Sequence, residues 1–150
     1  MSEHHATVAW ERGTADFTYD VYSRNHEWAF DGETRVAASA APDFLGEPDR
    51  VDPEQAFVAA ISSCHMLTFL AIAARKRHTV DSYRDAAVGY LEKNAEGKLA
   101  VTRVLLRPRI VWADDAPARE DLDRIHELAH ENCCIANSVR TEIRVEHADD

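Results

Sequence analysis

The sequence predicts an α+β fold in which mainly antiparallel sheets surround one long, buried, central helix, in a single domain over residues 1–150. Three observations support this class. Short runs with two-residue alternation lie on both sides of a single long apolar segment. A second, amphipathic helical pattern follows near the C-terminus. The strands and helices do not alternate as in βαβ units, so a parallel, doubly wound sheet is not expected.

The strand and turn patterns divide the rest of the chain. Phe17, Tyr19 and Val21 alternate on one predicted face, and the Asp31-Gly32 pair is typical of a hairpin turn. Pro108 indicates an edge position or a bulge within a longer strand. The predicted strands are residues 5–12, 16–22, 26–30, 34–39, 83–92, 98–112 and 141–146; the amphipathic helix covers 117–130, and a helical turn covers 133–137.

The long helix has a clear start signal. Asp52 suits the N-cap, Pro53 the first helical position and Glu54 the first turn, and the pattern continues to about Lys76. From residue 56 to residue 74 the helix is apolar on nearly every side. A helix without a polar face is buried on all sides, and in a chain this short a second subunit is the simplest cover.

Composition and charge exclude several classes of function. With 17 basic and 27 acidic side chains the net charge is −10, which argues against a nucleic-acid partner. The N-terminus lacks the basic and apolar regions of a secretory signal. The longest apolar run, residues 66–74, is too short for a membrane span. We therefore expect a cytoplasmic protein, without a membrane partner, whose thiols stay reduced.

Cys64 lies in the long helix, and Cys133 and Cys134 follow the amphipathic one. A cysteine in an apolar helix is most often a buried packing residue, but polar side chains surround Cys64 on both sides. Vicinal cysteines rarely bond to each other, so one of the later pair is the better partner for Cys64. A competing interpretation is zinc bound by His126, His130 and Cys133.

A reactive Cys64 needs a cation, because a thiol in the middle of a helix is too far from the helix N-terminus to be held as a thiolate by it. Arg24, in a polar loop, is the preferred candidate; Arg35 and Arg50 are less well placed. Glu54 lies ten residues from Cys64, or roughly 15 Å along one helix. It would approach the cysteine of a second subunit if two copies of the helix pack antiparallel.

Two segments together resemble the OsmC/Ohr family of osmotically inducible and organic-hydroperoxide-resistance proteins. They are Asp52-Pro53-Glu54-Gln55 with Ser62-Ser63-Cys64-His65-Met66, and the run from His130 to Ser138 that contains both later cysteines. The resemblance covers nearly the whole chain. It implies an intertwined homodimer that reduces organic hydroperoxides without a bound cofactor, using an external dithiol as reductant.

By this resemblance Cys64 is the peroxidatic cysteine, and Cys133 resolves its sulfenic acid as a disulfide. Glu54 matches the acidic residue of the family, and Arg24 is the closest match to the arginine that holds the thiolate. The chain departs from the pattern at Cys134, where the family usually has proline, and in Ser-Cys-His-Met around Cys64. Two alternatives stay open: a thiol sensor or small-molecule-binding module without turnover, and a zinc-stabilised structural protein.

Overall fold

The computed structural model describes residues 1–147, which fall in two compact units: Met1–Ala56, and a second that begins at Phe57. The described residues confirm the α+β class, with mainly antiparallel sheets. The strands are β1 Ala6–Ala9, β2 His26–Phe30, β3 Arg35–Ala38, β4 Val80–Asp85, β5 Val88–Lys93, β6 Leu99–Leu106, β7 Pro108–Trp112 and β8 Glu142–Val145; the helices are α1 Pro53–Arg75 and α2 Arg119–Asn132.

The first unit contains the antiparallel sheet β1-β2-β3. The predicted hairpin is confirmed, and its connection is the 3-10 turn Asp31–Glu33, in which Gly32 adopts a φ of 76°. Glycine adopts this left-handed backbone conformation at little cost, which explains why the Asp-Gly pair predicts the turn. Val51 then forms a parallel bridge with Ala38 and leads the chain toward α1.

The strand predicted over residues 16–22 is wrong. Phe17 and Tyr19 are exposed, so their alternation does not define a buried sheet face. The amides of Val21 and Tyr22 both donate to the Thr18 carbonyl, at 3.1 Å, and close a turn instead. The aromatic side chains pack on one another, with the Phe17 and Tyr22 rings 5.0 Å apart. Strand β1 pairs with β2 rather than with this segment.

Helix α1 begins where its start signal predicts. The Gln55 amide donates to Asp52 Oδ1 at 2.8 Å, and the Asp52 amide donates to Gln55 Oε1 at 3.0 Å. This reciprocal pair is a capping box that satisfies amides at the helix start. The helix ends at Arg75, and Arg77, with a φ of 65°, follows in the left-handed conformation common after helix ends.

The second unit contains the pair β4-β7 and the sheet β5-β6-β8, in which β8 runs parallel to β6. The two long strands predicted over 83–92 and 98–112 are each divided, at residues 86–87 and at Arg107. Pro108 begins β7, the position in a strand where the missing N–H is tolerated. Helix α2 begins at Arg119, two residues later than predicted, and the helical turn after it is Ala136–Ser138.

One face of α1 is buried in the second unit, through residues spaced four apart: Ile61, His65, Phe69 and Ala73. Phe69 and Ala73 pack against α2 and the β4-β7 pair, and Ile61 packs against the sheet β5-β6-β8. Strand β5 approaches α1 closely at Gly89, where an added Cβ would lie 2.4 Å from a Val58 methyl group. The packing of β5 on the helix therefore requires glycine there.

The opposite face of α1 is exposed in the single chain, and it is made of Ala60, Ser63, Leu67, Ala71 and Ala74. Burial on all sides, as predicted, is therefore not achieved within one chain. By length and composition α1 is also apolar enough to cross a membrane, with a mean hydropathy of 1.9. That is weak evidence for a span, because core helices of soluble proteins meet the same criterion.

A pair of buried histidines joins α1 to α2. His65 Nε2 and His126 Nδ1 are 3.0 Å apart, and the two rings are nearly parallel. Burial, and next the charge of His130, lowers the pKa of His65 to about 4; burial, and next His65 itself, lowers the pKa of His126 to about 3. Asp85 and Asp123 oppose these shifts only weakly. Both histidines are neutral at pH 7, and one ring donates to the other.

This histidine pair predicts a loss of stability in acid. As the pH falls below about 6.5, the unfolded chain binds protons that the folded pair does not accept. The free energy of unfolding then decreases by up to ~1.4 kcal/mol per pH unit for each histidine, until the pH reaches their lowered pKa values. Urea unfolding at about pH 7 and about pH 4.5 measures this decrease.

The control for acid stability is the double variant His65→Gln, His126→Asn, whose amides can keep the hydrogen bond but do not titrate. We expect a shallower loss in this variant, and an unchanged loss after replacement of the exposed His4 by Gln. Equal losses in the wild-type protein and the double variant would show that the pair does not set the acid sensitivity.

Candidate functional site

The structure brings two of the predicted site residues together. Cys64 lies in the middle of α1 and is half-buried; Cys133 caps the C-terminus of α2 and is buried. Their side chains are near enough to interact, since Cys64 contributes to the raised pKa of the Cys133 thiol, and both are free thiols. The Cys133 amide donates to the His130 carbonyl at 3.3 Å, which fixes the backbone at the helix end. A half-buried thiol and a buried one therefore face each other.

The surroundings of Cys133 favour its protonated form. Burial raises the pKa of the Cys133 thiol, and the hydrogen bond with Cys64 raises this pKa further. The backbone amide of Ala136 opposes the shift by donating to Cys133 Sγ at 3.4 Å. At rest Cys133 is thus held as a protonated thiol.

The exposed Cys134 is the other member of the vicinal pair. Its carbonyl accepts a 2.7 Å hydrogen bond from the Ser138 hydroxyl, so the turn Ala136–Ser138 holds its backbone. The adjacent cysteines therefore have opposite environments, one in the core and one in solvent. Within the second unit, the sulfur in contact with Cys64 is that of Cys133.

Asp85 accepts hydrogen bonds from Ser62, two residues before Cys64 in α1, and from the backbone of Arg107. Its Oδ2 accepts from the Ser62 hydroxyl at 2.5 Å, and its Oδ1 accepts from the Arg107 amide at 2.6 Å. The polar patch around Cys64 indicated Ser62, but nothing in the local pattern indicated Asp85. The sequence pattern did not predict the bond between His65 and His126 either. Contacts between residues distant in sequence leave no local signal.

Arg24 lies in the first unit, where its guanidinium is held by aromatic residues. It donates to the carbonyls of Tyr19 and Tyr22, both at 2.5 Å, and stacks 3.7 Å from the centre of the Tyr22 ring. It has no carboxylate partner among residues 1–147. Arg35 pairs with Glu27 at 2.8 Å and Arg50 with Glu47 at 3.8 Å. Of the three arginines considered, Arg24 alone keeps a charge that no acid neutralises.

Glu54 also lies in the first unit, in the first turn of α1. Its Oε2 is buried and has no hydrogen-bond partner among the described residues. A buried carboxylate oxygen without a donor is costly, so it demands a cation or another donor. In the single chain Arg24 donates to backbone carbonyls and does not supply that partner.

The geometry does not support the alternative of a zinc site. No group of three or more His, Cys, Asp or Glu side chains in the part of the chain that the structure describes could hold a metal ion. His126 Nδ1 bonds with His65, and Cys133 contacts Cys64 rather than joining His126 and His130 in a ligand set. His126 and Cys133 instead interact with residues of α1, and His130 is exposed.

The fold is similar to several solved structures. An OsmC-like protein of unknown function from Vibrio cholerae is 52% identical, with a TM-score of 0.92, and the match covers 98% of this chain and 99% of that one. The organic hydroperoxide resistance protein OsmC of Legionella pneumophila is 17% identical, with a TM-score of 0.72 and coverage of 98% and 96%. The organic hydroperoxide resistance protein OhrB of Bacillus subtilis is 16% identical, with a TM-score of 0.68 and coverage of 97% and 98%.

At such low identity the last two structures show the fold alone. No functionally curated protein matches the chain. The family model described as OsmC-like protein matches residues 46–148, which include α1, both cysteine sites and the histidine pair. Together with the Vibrio protein, this match shows that the chain belongs to the OsmC-like family.

Proposed function

We propose that this protein is a cytoplasmic thiol-dependent peroxidase that reduces organic hydroperoxides. Cys64 attacks the peroxide, Cys133 resolves the oxidised Cys64 as a disulfide, and an external dithiol restores both thiols. The observation that carries this proposal is the contact between two free thiols, one half-buried and one buried, on two different helices. The family supports it, since relatives with this fold are named organic hydroperoxide resistance proteins.

The chemistry balances without a bound cofactor. The Cys64 thiolate attacks the terminal oxygen of ROOH, so that an S–O bond forms, the O–O bond breaks, and RO⁻ leaves and takes a proton as the alcohol. Cys133 then attacks the Cys64 sulfur, an S–S bond forms, and the hydroxyl leaves as water with the Cys133 proton. The dithiol reduces the disulfide and becomes oxidised in turn.

We assign Arg24 as the cation that holds the Cys64 thiolate, and Glu54 as the acid that positions this arginine. Two observations support the assignment. Arg24 carries a charge that no described acid neutralises, and Glu54 has a buried oxygen without a donor. An arginine–carboxylate pair satisfies both groups.

The exposed face of α1, defined above by Ala60, Ser63, Leu67, Ala71 and Ala74, supports a homodimer. Small side chains let a second helix approach closely, and Leu67 is 61% exposed in the single chain. A two-fold dimer covers this face with the same face of a second copy. The dimer also allows the groups of one subunit to serve the cysteine of the other.

The first prediction separates the three cysteines. Cys64→Ser abolishes hydroperoxide consumption, because the nucleophile is lost. Cys133→Ser permits one turnover and leaves a sulfenic acid at Cys64, which dimedone labelling with mass spectrometry detects. Cys134→Ser, the matched control next in the chain, leaves disulfide formation unchanged. If Cys134→Ser blocks the disulfide and Cys133→Ser does not, the resolving cysteine is Cys134.

Measurement of hydroperoxide consumption also distinguishes a peroxidase from a thiol sensor. A peroxidase consumes many equivalents of cumene hydroperoxide when dithiothreitol is in excess. A sensor oxidises once, with the same disulfide, and then consumes no more peroxide. Stoichiometric zinc in the purified protein would instead favour a structural metalloprotein.

The second prediction concerns thiolate activation. Arg24→Met keeps the bulk of the side chain but removes its charge, so the Cys64 thiolate loses its counter-ion and alkylation by iodoacetamide at about pH 7 slows about tenfold or more. Arg12→Met is the matched control, because Arg12 also donates only to backbone carbonyls in the first unit. An alkylation curve that is the same for Arg24→Met and the wild-type protein would assign the role to another cation.

The third prediction concerns assembly. Light scattering at low micromolar concentration gives a mass of about twice 16.9 kDa. Leu67→Lys places a charge in the exposed face of α1 and shifts the protein toward monomer. Leu99→Lys is the control, because Leu99 is similarly exposed, at 59%, but lies on a strand. A monomeric wild-type protein with full activity would contradict the dimer.

The shared site has its own test. Cys64→Ser and the double variant Glu54→Ala, Arg24→Met are each inactive alone. If both Glu54 and Arg24 serve the cysteine of the partner, refolding the two inactive proteins together restores turnover in the heterodimers. No recovery, with heterodimers present by mass spectrometry, would show that at least one of these two groups acts within its own subunit.

A further inference from the structure

The buried histidine pair lies beside the two cysteines in both helices. His65 directly follows Cys64 in α1, and His126 precedes Cys133 by seven residues in α2. Seven residues are close to two turns, so His126 and Cys133 project from nearly the same side of α2, about 10 Å apart along its axis. The same side of α2 thus meets α1 twice, once through the histidines and once through the sulfurs.

Stability is a poor explanation for this pair. The bond of 3.0 Å satisfies one nitrogen of each ring, but His65 Nδ1 and His126 Nε2 are buried without partners among the described residues. Two buried polar atoms without partners cost free energy, and an apolar pair of similar volume would avoid that cost. A polar pair that is incompletely satisfied in a core needs another role.

Register between the helices is a role that this hydrogen bond can fill. Around it α1 and α2 meet through Phe69, Ala73, Ile125 and Ala129. Such apolar contacts are non-directional and tolerate sliding, whereas a hydrogen bond weakens steeply with distance and angle. The Phe69 ring, 4.5 Å from the His126 ring, limits movement of that ring on another side. A buried polar pair that fixes register is the best-attested use of such groups.

The resolving step is the step most sensitive to that register. Disulfide formation needs the two sulfurs to approach to about 2.05 Å with a restricted range of Cα separations. A displacement of about 1 Å in a reacting group can slow a reaction about a hundredfold. Oxidation of Cys64 by an incoming peroxide does not involve α2 in this way.

We propose that the hydrogen bond between His65 and His126 positions Cys133 against Cys64, so that both histidines are positioning residues for the resolving disulfide. The inference rests on the proposed peroxidase function. It assigns a role to two residues that are not needed for the first step of that function, the oxidation of Cys64. In the resolving reaction the S–S bond forms, the S–O bond of the sulfenic acid breaks, and water leaves with the Cys133 proton. The histidines take no part in these bond changes.

The test uses amide side chains that either reproduce or miss the bonding nitrogen. Asn places an amide atom where His126 Nδ1 lies, and Gln places one where His65 Nε2 lies. His126→Asn and His65→Gln therefore keep the bond, while His126→Gln and His65→Asn misplace it. His78→Gln is the control for loss of a histidine elsewhere.

The first readout is a single turnover with cumene hydroperoxide. We expect His126→Gln to form the Cys64 sulfenic acid at the wild-type rate but the disulfide about tenfold or more slowly, so that the dimedone adduct accumulates. His126→Asn restores the disulfide rate. Rescue by Asn but not by Gln distinguishes positioning from a general loss of packing, which would affect both variants.

The second readout does not depend on peroxide chemistry. In a glutathione redox buffer, the equilibrium between the dithiol and the Cys64–Cys133 disulfide reports the effective concentration of one thiol at the other. We expect this effective concentration to be lower in His126→Gln than in His126→Asn, by a factor of about ten or more. The comparison is made at equal melting temperatures or after correction for the difference between them. Equal effective concentrations in wild-type protein and both variants would overturn the inference. Failure of the peroxide reaction alone, with this difference intact, would overturn only the proposed function.

Discussion

A helix that is apolar on nearly every side needs cover on nearly every side, and the rest of this structure depends on how α1 meets that demand. Residues spaced four apart are buried against both sheets of the second unit and against α2. The remaining face, with Leu67 at its centre, has no cover in the single chain. The same helix carries Cys64 between these two faces, half-buried. The packing of α1 therefore fixes the position of the partly exposed Cys64 thiol, which does not depend on the conformation of a loop.

In the proposed reaction the two cysteines divide the chemical work through their surroundings. Burial favours the protonated form of Cys133, which would keep it from competing for an incoming oxidant, because only a thiolate is a strong nucleophile. In that proposal, once Cys64 is oxidised, the nearness of the two side chains supplies the proximity that Cys133 lacks in acidity. The amide of Ala136, directed at Cys133 Sγ, stabilises negative charge on this sulfur as it reacts or leaves. Cys133, unreactive at rest, is thus suited to the resolving step, which in the proposal follows the oxidation of Cys64.

Local signals predicted the local features. The Asp52 and Pro53 signals located the start of α1, and the Asp31-Gly32 pair located the hairpin of β2 and β3, since capping and turn chemistry act over a few residues. The alternation over residues 16–22 failed because the segment closes a turn on the Thr18 carbonyl and β1 pairs with β2 instead. The division at residues 86–87 has no turn signal; the Asp85 carboxylate just before it accepts hydrogen bonds from Ser62 and Arg107, which are distant in sequence. His65 and His126 are 61 residues apart, so their bond was invisible, and the spacing of His126 from His130 suggested a metal instead.

Cys134 stands where the family usually has proline. The backbone conformation of the residue before it, Cys133, is nonetheless close to the one that a following proline would favour. Cys133 has φ −74° and ψ 111°, close to the extended conformation that a residue before proline favours. Here the bond from its amide to the His130 carbonyl, and the bond from the Asn137 amide to its own carbonyl at 3.0 Å, hold that conformation. In extended backbone successive side chains point to opposite sides, so Cys133 faces the core and Cys134 faces solvent. Backbone hydrogen bonds at the end of α2 therefore determine which of the two adjacent sulfurs faces the core. A proline ring at position 134 is not required for this orientation.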